Sequence, residues 1–458
     1  MKFFYYFILA SLVLQGQAPH EHTPWDLEGA QARIETHRKG EAQLKFVFPE
    51  KVVGDTIQLH FELVSHEFNF GVSMTQLGSF AGTPYFEKYK DYTKALFNFV
   101  TVGFYWAAYH RDRKDLDRFD AYLKGNIKWA IENNLKVKGH PLLWHESLPK
   151  WVVDFKDSEK LDSIIKNRIR YLIESNPEIK YWDVYNEPVA VFKAHVSPSG
   201  VTRWVTHKGG IESAMKDLYD FVNTVDSTKT YTNNHYNPSE PSFLALNKYL
   251  NDHGVEYDAV GMQAHMQTNA GVLSEDALWK LLNDYESLGK DIQFTELTVT
   301  SSRRFNDWRD HQVFLKQRTE KIKKGQTMNL PSLPEYENYQ SDYIKDFYTL
   351  VFSHPSVTSL TFWNLTDRNA WRGHAGGLLD ENLEPKKAYY TLKNLIKNKW
   401  HTSVTKTIKL GETLTFNGFY GDYSGEILVN GNYYSFDFNH SKKRTNPTEV
   451  NLTKLQKH

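Results

Sequence analysis

Between about residue 68 and residue 398, short apolar runs typical of β-strands alternate with stretches whose apolar residues recur at helical spacing. This alternation is typical of a parallel α/β fold, because each parallel strand needs a crossover connection, usually a helix. Eight strand-like runs are present, which is the number in a (β/α)8 barrel. They are FNFGVSM, FVTVGFYW, LKVKGHPLLW, KYWDVYNE, KTYTNNHYN, YDAVGMQAH, DIQFTE and SLTFWNL. We therefore predict an α/β fold, a (β/α)8 TIM barrel, over residues 68–398.

The segments on either side of this region are β-rich. Residues 19–67 contain a helical stretch at about 25–38 followed by the alternating runs QLKFVF and TIQLHFELV. In residues 399–458, apolar and polar residues alternate between the turn signals GD, SG and NG. Neither end holds enough strands to bury a core alone. We expect the two ends to pack together as one sandwich-like accessory module.

The N-terminus has the pattern of a secretory signal. Lys2 is followed by the apolar run FFYYFILASLVL and a polar stretch that ends in the small residue Ala18. The pattern predicts a signal peptide over residues 1–18 and a secreted or periplasmic mature protein without a membrane segment; retention of the run as an anchor is the alternative. The sequence contains no cysteine, which excludes disulfides and thiolate metal sites.

The charge balance excludes some partners. Lys plus Arg and Asp plus Glu both count 55, so no net field favours nucleic acid or an anionic membrane. The zero net charge is more compatible with an uncharged polysaccharide as the partner than with nucleic acid or an anionic membrane. No HExxH motif is present, and we expect neither a metal nor a cofactor. The oligomeric state stays open.

Two glutamates end predicted barrel strands. Glu187 follows the fourth strand in WDVYNEP, and Glu296 lies in the seventh in FTEL. In such barrels functional side chains lie at the C-terminal strand ends. Retaining glycosidases need a carboxylic acid and a carboxylate about 5–5.5 Å apart. Either residue alone could be a helix cap or a solvated rim residue, but the two together on one rim indicate a catalytic pair.

Five motifs occur in one order across this region: GHPLLWH, WDVYNEP, GMQAH, TEL and FWNLTDRNAW. With them the chain resembles glycoside hydrolase family 10, the retaining endo-β-1,4-xylanase type, as a divergent member. The resemblance implies hydrolysis of β-1,4 bonds in a xylan-type polysaccharide through a glycosyl-enzyme intermediate. Glu187 would be the general acid/base and Glu296 the nucleophile.

The resemblance also implies substrate-binding roles. Asn186 resembles the residue that hydrogen-bonds the sugar 2-hydroxyl, with a buried turn amide as the alternative. Gln263 and His265 resemble the pair that positions Glu296, although His265 could be a core histidine. Seven residues are expected in this substrate site: His140, Trp144, Asn186, Gln263, His265, Trp363 and Trp371.

Two tryptophans resemble the platform residues of the family. Trp363 and Trp371 would form an apolar wall for a pyranose ring. They would also lower the local dielectric and help keep Glu187 protonated. Core packing is the alternative, above all for Trp363.

The chain departs from the family pattern after the second strand. The family has an acidic, amide and lysine cluster of the form TxENxxKW, whereas this chain reads TVGFYWAA, with Gly103, Phe104 and Ala107 at the matching places. We expect an aromatic patch of Phe104, Tyr105 and Trp106 to change the sugar recognised; local repacking is the alternative.

A second departure follows the nucleophile, where TELT replaces TELD. Thr298 cannot supply the negative charge that would help to protonate His265. This substitution bears on the pH optimum.

Two other functions stay open. One is a retaining hydrolase of another or decorated β-glycan. The other is a non-catalytic carbohydrate-binding protein on a degenerate barrel, which would have no need for a matched acid and nucleophile.

Overall fold

The computed structural model describes residues 21–110, 116–443 and 447–455. The predicted signal peptide, residues 1–18, lies outside the described residues. The predicted helix at 25–38 is shorter than expected: α1 spans Ala30–Arg38, because Leu27 and Gly29 adopt positive φ angles of 53° and 69°. Two strands follow, β1 (Lys39–Val47) and β2 (Thr56–His66). In the described part of the chain, no helix combines the length and apolarity that a membrane span requires.

Eight parallel strands form a closed barrel, as predicted. Two of them continue as short segments, β5 into β6 and β9 into β10, and β12 pairs with β3 to close the ring. The strands are β3 (Asn69–Ser73), β4 (Phe99–Gly103), β5 (Lys136–His140), β6 (Leu143–Trp144), β7 (Tyr181–Asn186), β8 (Thr230–His235), β9 (Ala259–Met262), β10 (His265–Met266), β11 (Asp291–Val299) and β12 (Val357–Phe362).

Helices connect the strands. They are amphipathic: α5 buries Leu161, Ile165, Ile169 and Leu172 at three- and four-residue spacing. The helices are α2 (Tyr85–Leu96), α3 (Leu116–Glu132), α4 (Lys150–Val153), α5 (Ser158–Glu174), α6 (Gly200–His207), α7 (Ile211–Val225), α8 (Pro241–Asp252), α9 (Glu275–Glu286), α10 (Trp308–Lys323), α11 (Pro334–Ser353) and α12 (Lys387–Asn394), which runs into a π-helical turn at Leu395–Lys399.

The two chain ends form one β-module, as predicted. β1 pairs with β14 and β17, while β2 lies between β13 and β15 in a second sheet, with the order β13-β2-β15-β16-β18. The C-terminal strands are β13 (Ser403–Lys409), β14 (Leu414–Phe419), β15 (Gly421–Val429), β16 (Asn432–His440), β17 (Thr448–Asn451) and β18 (Thr453–Lys454).

Aromatic rings fill the space between the two sheets of the β-module. Side chains of β2 alternate between buried and exposed, which leaves one face apolar. Phe61 on that face lies 5.0 Å from Phe416 of the opposite sheet, centroid to centroid, and Phe46 lies 5.2 Å from Phe436. The module is therefore a sandwich with its own aromatic core.

The β-module lies against the N-terminal ends of the barrel strands. Arg38 donates hydrogen bonds to the backbone carbonyls of Phe352, His354 and Val357, the last of which begins β12. The Phe352 ring packs on Trp400 at 4.4 Å. This placement leaves the C-terminal ends of the strands, where the predicted site residues lie, free of the module.

Candidate active site

Glu187 and Glu296 both lie at the C-terminal rim. Glu187 follows β7 directly and adopts a left-handed conformation with φ 60°, which is uncommon for a residue with a side chain and occurs often at functional sites. Its backbone amide donates to the carbonyl of Asn234 over 2.8 Å. Glu296, in β11, is only 4% exposed. The structure therefore brings the predicted pair to one end of the barrel.

Side-chain amides link the two carboxylates. Gln263 Nε2 donates to Glu187 Oε1 over 2.9 Å and contacts Asn186 Oδ1 at 3.3 Å. On the other side, Asn234 Nδ2 donates to Asn186 Oδ1 over 2.9 Å and to Glu296 Oε1 over 3.0 Å. Both donors converge on Asn186 Oδ1, which fixes the orientation of that side-chain amide.

This network changes one sequence-based assignment. Gln263 was expected to position Glu296, but its amide holds Glu187 and Asn186, and Asn234 provides the contact to Glu296. Thr295 Oγ1 donates to Asn234 Oδ1 over 2.7 Å, which fixes the orientation of that amide. Sequence reasoning missed Asn234, since nothing in the polar run TYTNNHYN shows which asparagine points inward.

His265 holds the second oxygen of Glu296, as predicted. Its Nε2 lies 3.2 Å from Glu296 Oε2, and its Nδ1 lies 3.0 Å from Thr298 Oγ1. Burial lowers the pKa of His265, although the hydrogen bond to Glu296 opposes this shift. A neutral imidazole therefore donates to Glu296 through Nε2 and accepts from the Thr298 hydroxyl, a partner that carries no charge.

His140 lies on a buried chain of charges. Its Nδ1 is 2.7 Å from Asp183 Oδ2, and its Nε2 is 3.9 Å from Glu296 Oε1. Lys138 Nζ approaches the other oxygen of Asp183 at 2.7 Å. Burial opposes protonation of His140, but the hydrogen bond to Asp183 leaves its pKa raised. Lys138 was missed, although a lysine inside an otherwise apolar barrel strand signals a buried acidic partner.

The surroundings of Glu187 favour its protonated form. Burial raises the pKa of Glu187 to about 7; the hydrogen bond from Gln263 opposes the shift, and the nearby charge of Glu296 adds to it. Trp144 Nε1 donates to Glu187 Oε2 over 3.2 Å. A carboxyl with a pKa near neutrality can act first as an acid and then as a base.

The two predicted platform tryptophans differ in exposure. Trp363 is 4% exposed, and its ring lies 5.7 Å from the His140 ring and 6.1 Å from the His265 ring. Trp371 is partly exposed and lies 4.4 Å from the His265 ring. Trp363 therefore forms the floor of the site, and Trp371 is available to a sugar face.

Arg372 is a second residue that sequence reasoning missed. Its guanidinium lies 4.0 Å above the Trp371 ring and 4.9 Å from the Trp308 ring. Burial lowers the pKa of Arg372 to about 10, against the opposing charges of Glu187, Glu146 and Glu296. The positive φ of Arg372, 58°, is invisible in the sequence WRGH, yet it belongs to the turn that places the guanidinium over Trp371.

The expected aromatic patch is only partly present. Phe104 is buried against Trp182 at 5.2 Å, and Trp106 is buried against Trp151 at 5.9 Å. Local repacking thus accounts for these two residues, so their predicted place in the sugar pocket is wrong. Tyr105 alone of the three predicted rings is partly exposed and faces the site.

Among the described residues, no group of three or more His, Asp or Glu side chains is arranged to hold a metal ion. His265 contacts Glu296 and Thr298, and His140 contacts Asp183.

The closed barrel and the paired rim carboxylates define a glycoside hydrolase of the (β/α)8 class. A sequence model of glycosyl hydrolase family 10 matches residues 61–395, and the chain belongs to this family.

Individual relatives are distant. The chain is 25% identical over 357 residues to endo-1,4-beta-xylanase B of Thermotoga neapolitana, covering 74% of this chain and 91% of the relative. It is 26% identical to the endo-1,4-beta-xylanase of Geobacillus stearothermophilus, covering 57% and 77%. It is also 23% identical to anti-sigma-I factor RsgI6 of Acetivibrio thermocellus, covering 88% of this chain but only 47% of that protein.

Solved structures show the same barrel. Native xylanase 10B from Thermotoga maritima aligns with a TM-score of 0.57 and 23% identity, covering 73% of this chain and 96% of that one. Xylanase 10B from Thermotoga petrophila in complex with xylobiose aligns with a TM-score of 0.55 and 22% identity, covering 73% and 95%. Both matches support the fold.

Proposed function

We propose that this chain hydrolyses β-1,4-linked xylan-type polysaccharide with retention of configuration, with Glu187 as general acid/base and Glu296 as nucleophile. One observation carries the proposal: two glutamates lie at the same rim within one hydrogen-bond network, and the surroundings of one of them, Glu187, favour its protonated form. Burial and the charge of Glu296 raise the pKa of Glu187 to about 7. Glu296 is hydrogen-bonded on both oxygens by Asn234 and His265, which suits an ionised nucleophile.

In the first step, Glu296 attacks the anomeric carbon and forms a glycosyl-enzyme ester. At the same time Glu187 transfers its proton to the departing glycosidic oxygen. We assign to the amide nitrogen of Asn186 a hydrogen bond to the sugar 2-hydroxyl, a contact that strengthens in the oxocarbenium-like transition state.

In the second step, the ionised Glu187 removes a proton from a water molecule. That water attacks the anomeric carbon, Glu296 leaves as a carboxylate, and the product keeps its configuration. His265 stays hydrogen-bonded to Glu296 and orients it in both steps. His140 and Trp144, which contact the two carboxylates from β5 and β6, are assigned to the same sugar.

The substrate assignment draws on the relatives, whose names include several endo-1,4-beta-xylanases. A retaining hydrolase of another or decorated β-glycan is a second candidate, favoured by the repacked loop after β4. A non-catalytic binding protein is disfavoured, because it would gain nothing from burying two carboxylates at a cost in stability.

We also propose that the protein is secreted or periplasmic, supported by Lys2 and the apolar run that follows it. Sequencing the N-terminus of protein from the culture medium or periplasm should find cleavage near Ala18. Exported protein that still begins at Met1 would contradict the proposed cleavage.

The test of the catalytic roles uses two alanine variants. Glu296→Ala should abolish activity on every substrate, because no glycosyl-enzyme can form. Glu187→Ala should still react with an activated aryl β-xylobioside, showing a burst and then slow turnover that azide accelerates, since a small anion needs no general base.

The variant Glu178→Ala, at an exposed position outside the site, serves as the control and should keep wild-type activity. Azide acceleration of Glu296→Ala with retained configuration would show that the two roles are reversed. If the wild-type protein cleaves another β-glycan but not xylan, the assignment of xylan as the substrate is wrong.

A further inference from the structure

Arg372 lies beside two indole rings at the C-terminal rim of the barrel. Its guanidinium carbon is 4.0 Å from the centroid of the Trp371 ring and 4.9 Å from that of the Trp308 ring. The Trp371 ring in turn lies 4.4 Å from the ring of His265, which is hydrogen-bonded to the nucleophile Glu296. These contacts place the guanidinium within the site, and the two indoles limit its movement.

The hydrogen bonding of this guanidinium differs from that of other partly buried arginines. Arg38, Arg168 and Arg203 each donate to two or more backbone carbonyls. Arg372 is also partly exposed, but its guanidinium donates to no residue that the structure describes. The three other arginines are therefore held by the fold, whereas the five N–H donors of Arg372 can bind a ligand.

The charges around Arg372 indicate which part of the substrate lies next to it. Burial lowers the pKa of Arg372 to about 10, so the group stays charged at neutral pH. Among the charges that oppose this shift, that of Glu187 is the largest, ahead of Glu146 and Glu296. Glu187 is assigned to protonate the departing oxygen, and Arg372 therefore borders the sugar on the leaving-group side of the bond.

A carboxylate is the ligand that best matches this group. The paired donors of a guanidinium fit the two oxygens of a carboxylate, and hydrogen bonds between charged partners are stronger than neutral ones. The xylan backbone has only hydroxyl, ring and glycosidic oxygens, so a carboxylate has to come from an acidic substituent. The 2-hydroxyl of the sugar that Glu296 attacks is assigned to Asn186, which leaves the substituent to the leaving-group sugar.

We propose that Arg372 binds the carboxylate of a uronic acid substituent on the leaving-group sugar next to the scissile bond. The chain thereby prefers bonds beside an acidic branch to bonds beside a neutral one. This inference rests on the proposed function and names the substrate class within it, a xylan decorated with glucuronic acid.

The test compares two branched oligosaccharides that differ only in charge. One is xylopentaose with a single glucuronic acid branch on its central sugar, and the other is the same compound after reduction of the carboxyl group to an alcohol. Because the branch is of similar size in both, tolerance of a branch does not change the ratio of their kcat/KM values. In the wild type this ratio should be at least about tenfold, the preference that ~1.4 kcal/mol of binding produces, and in Arg372→Gln it should fall to about one.

Arg368→Gln is the matched control, because the Arg368 guanidinium lies over Tyr85 instead, and it should keep the wild-type ratio. The effect of Arg372→Gln on the pKa of Glu187 applies to both substrates alike and cancels in the ratio. A wild-type ratio near one, or an unchanged ratio in Arg372→Gln, would overturn the proposal.

Product mapping with the wild type needs no variant. Mass spectrometry of the digested acidic substrate should find the glucuronic acid on the non-reducing-end sugar of the leaving product, because that sugar was next to the bond. A branch found only on other sugars would overturn the proposal.

Failure of the proposed function gives a different result. If the wild type cleaves neither xylan nor unbranched xylopentaose, the substrate assignment itself is wrong. If it cleaves both and shows no preference for the acidic branch, only the role of Arg372 is wrong.

Discussion

At the N-terminal ends of the barrel strands, the rings of Phe352, Trp400 and Phe419 pack together between barrel and β-module. At the C-terminal ends, the buried side chains include Asn186, Gln263 and Glu296, which are polar or charged. Apolar burial contributes about 25 cal/mol per Å² to stability, whereas burial of carboxylates opposes folding. Apolar burial at the N-terminal end of the barrel therefore stabilises the fold, whereas the burial of polar and charged groups at the C-terminal end lowers its stability.

The largest effect should follow from disrupting the aromatic core of the β-module, which lies against the N-terminal end of the barrel. Phe61 in β2 is fully buried and contacts the rings of Phe416, Tyr423 and Phe438. Phe61→Ala should lower the free energy of unfolding by about 3–5 kcal/mol, because it removes a large core side chain and leaves a cavity. Urea unfolding would measure this loss, and kcat/KM at 25 °C should stay unchanged.

Val64→Ala on the same strand is the matched control. Val64 is 51% exposed, so the change should stay within about 0.5 kcal/mol. A loss of kcat/KM in Phe61→Ala that equals its loss in stability would show that the two ends are coupled.

A smaller effect should follow from removing the buried carboxyl group of Glu187 at the C-terminal end. Because burial raises the pKa of Glu187 to about 7, the folded state disfavours its ionised form. This cost is absent below the unfolded pKa near 4.5, grows as the pH rises and is complete above pH 7. Glu187→Gln should therefore gain about 3 kcal/mol of stability at pH 8 and almost none at pH 4.

Thermal unfolding of both proteins across this pH range would measure the difference. The same variant should lose nearly all activity on xylan, since it has no acid. Equal stabilisation at pH 4 and pH 8 would show that ionisation of Glu187 is not the source.

The smallest effect concerns the influence of the Arg372 charge on the pKa of Glu187 at the rim. The charge of Arg372 opposes the raised pKa of Glu187, so Arg372→Gln should raise that pKa further. Glu187 must be protonated to act as the acid, and the alkaline limb of the kcat/KM profile should therefore move up by about half a pH unit. Arg368→Gln, whose guanidinium lies over Tyr85 instead, should leave the limb in place; a downward shift in Arg372→Gln would reverse the assigned sign.

Much of this architecture could be predicted from local patterns. All eight barrel strands coincide with the runs identified in the sequence. Most of these runs are apolar because both faces of a parallel barrel strand are buried, although the run of β8, TYTNNH, is polar. The pairing of the chain ends followed from their shortage of strands. Contacts that depend on long-range geometry could not be predicted: Asn234 reaches Glu296 across the barrel, and Arg372 reaches Trp308 only because of its backbone turn.

The position of β2 has a consequence for how the protein is made. This strand leaves the ribosome early, but both of its neighbours, which begin at Ser403 and Gly421, are translated only after the whole barrel. During synthesis its two open edges and its apolar face stay available to other nascent chains. The β-module can close only after β13 and β15 have been synthesised, so chains that terminate within the barrel are left prone to aggregation.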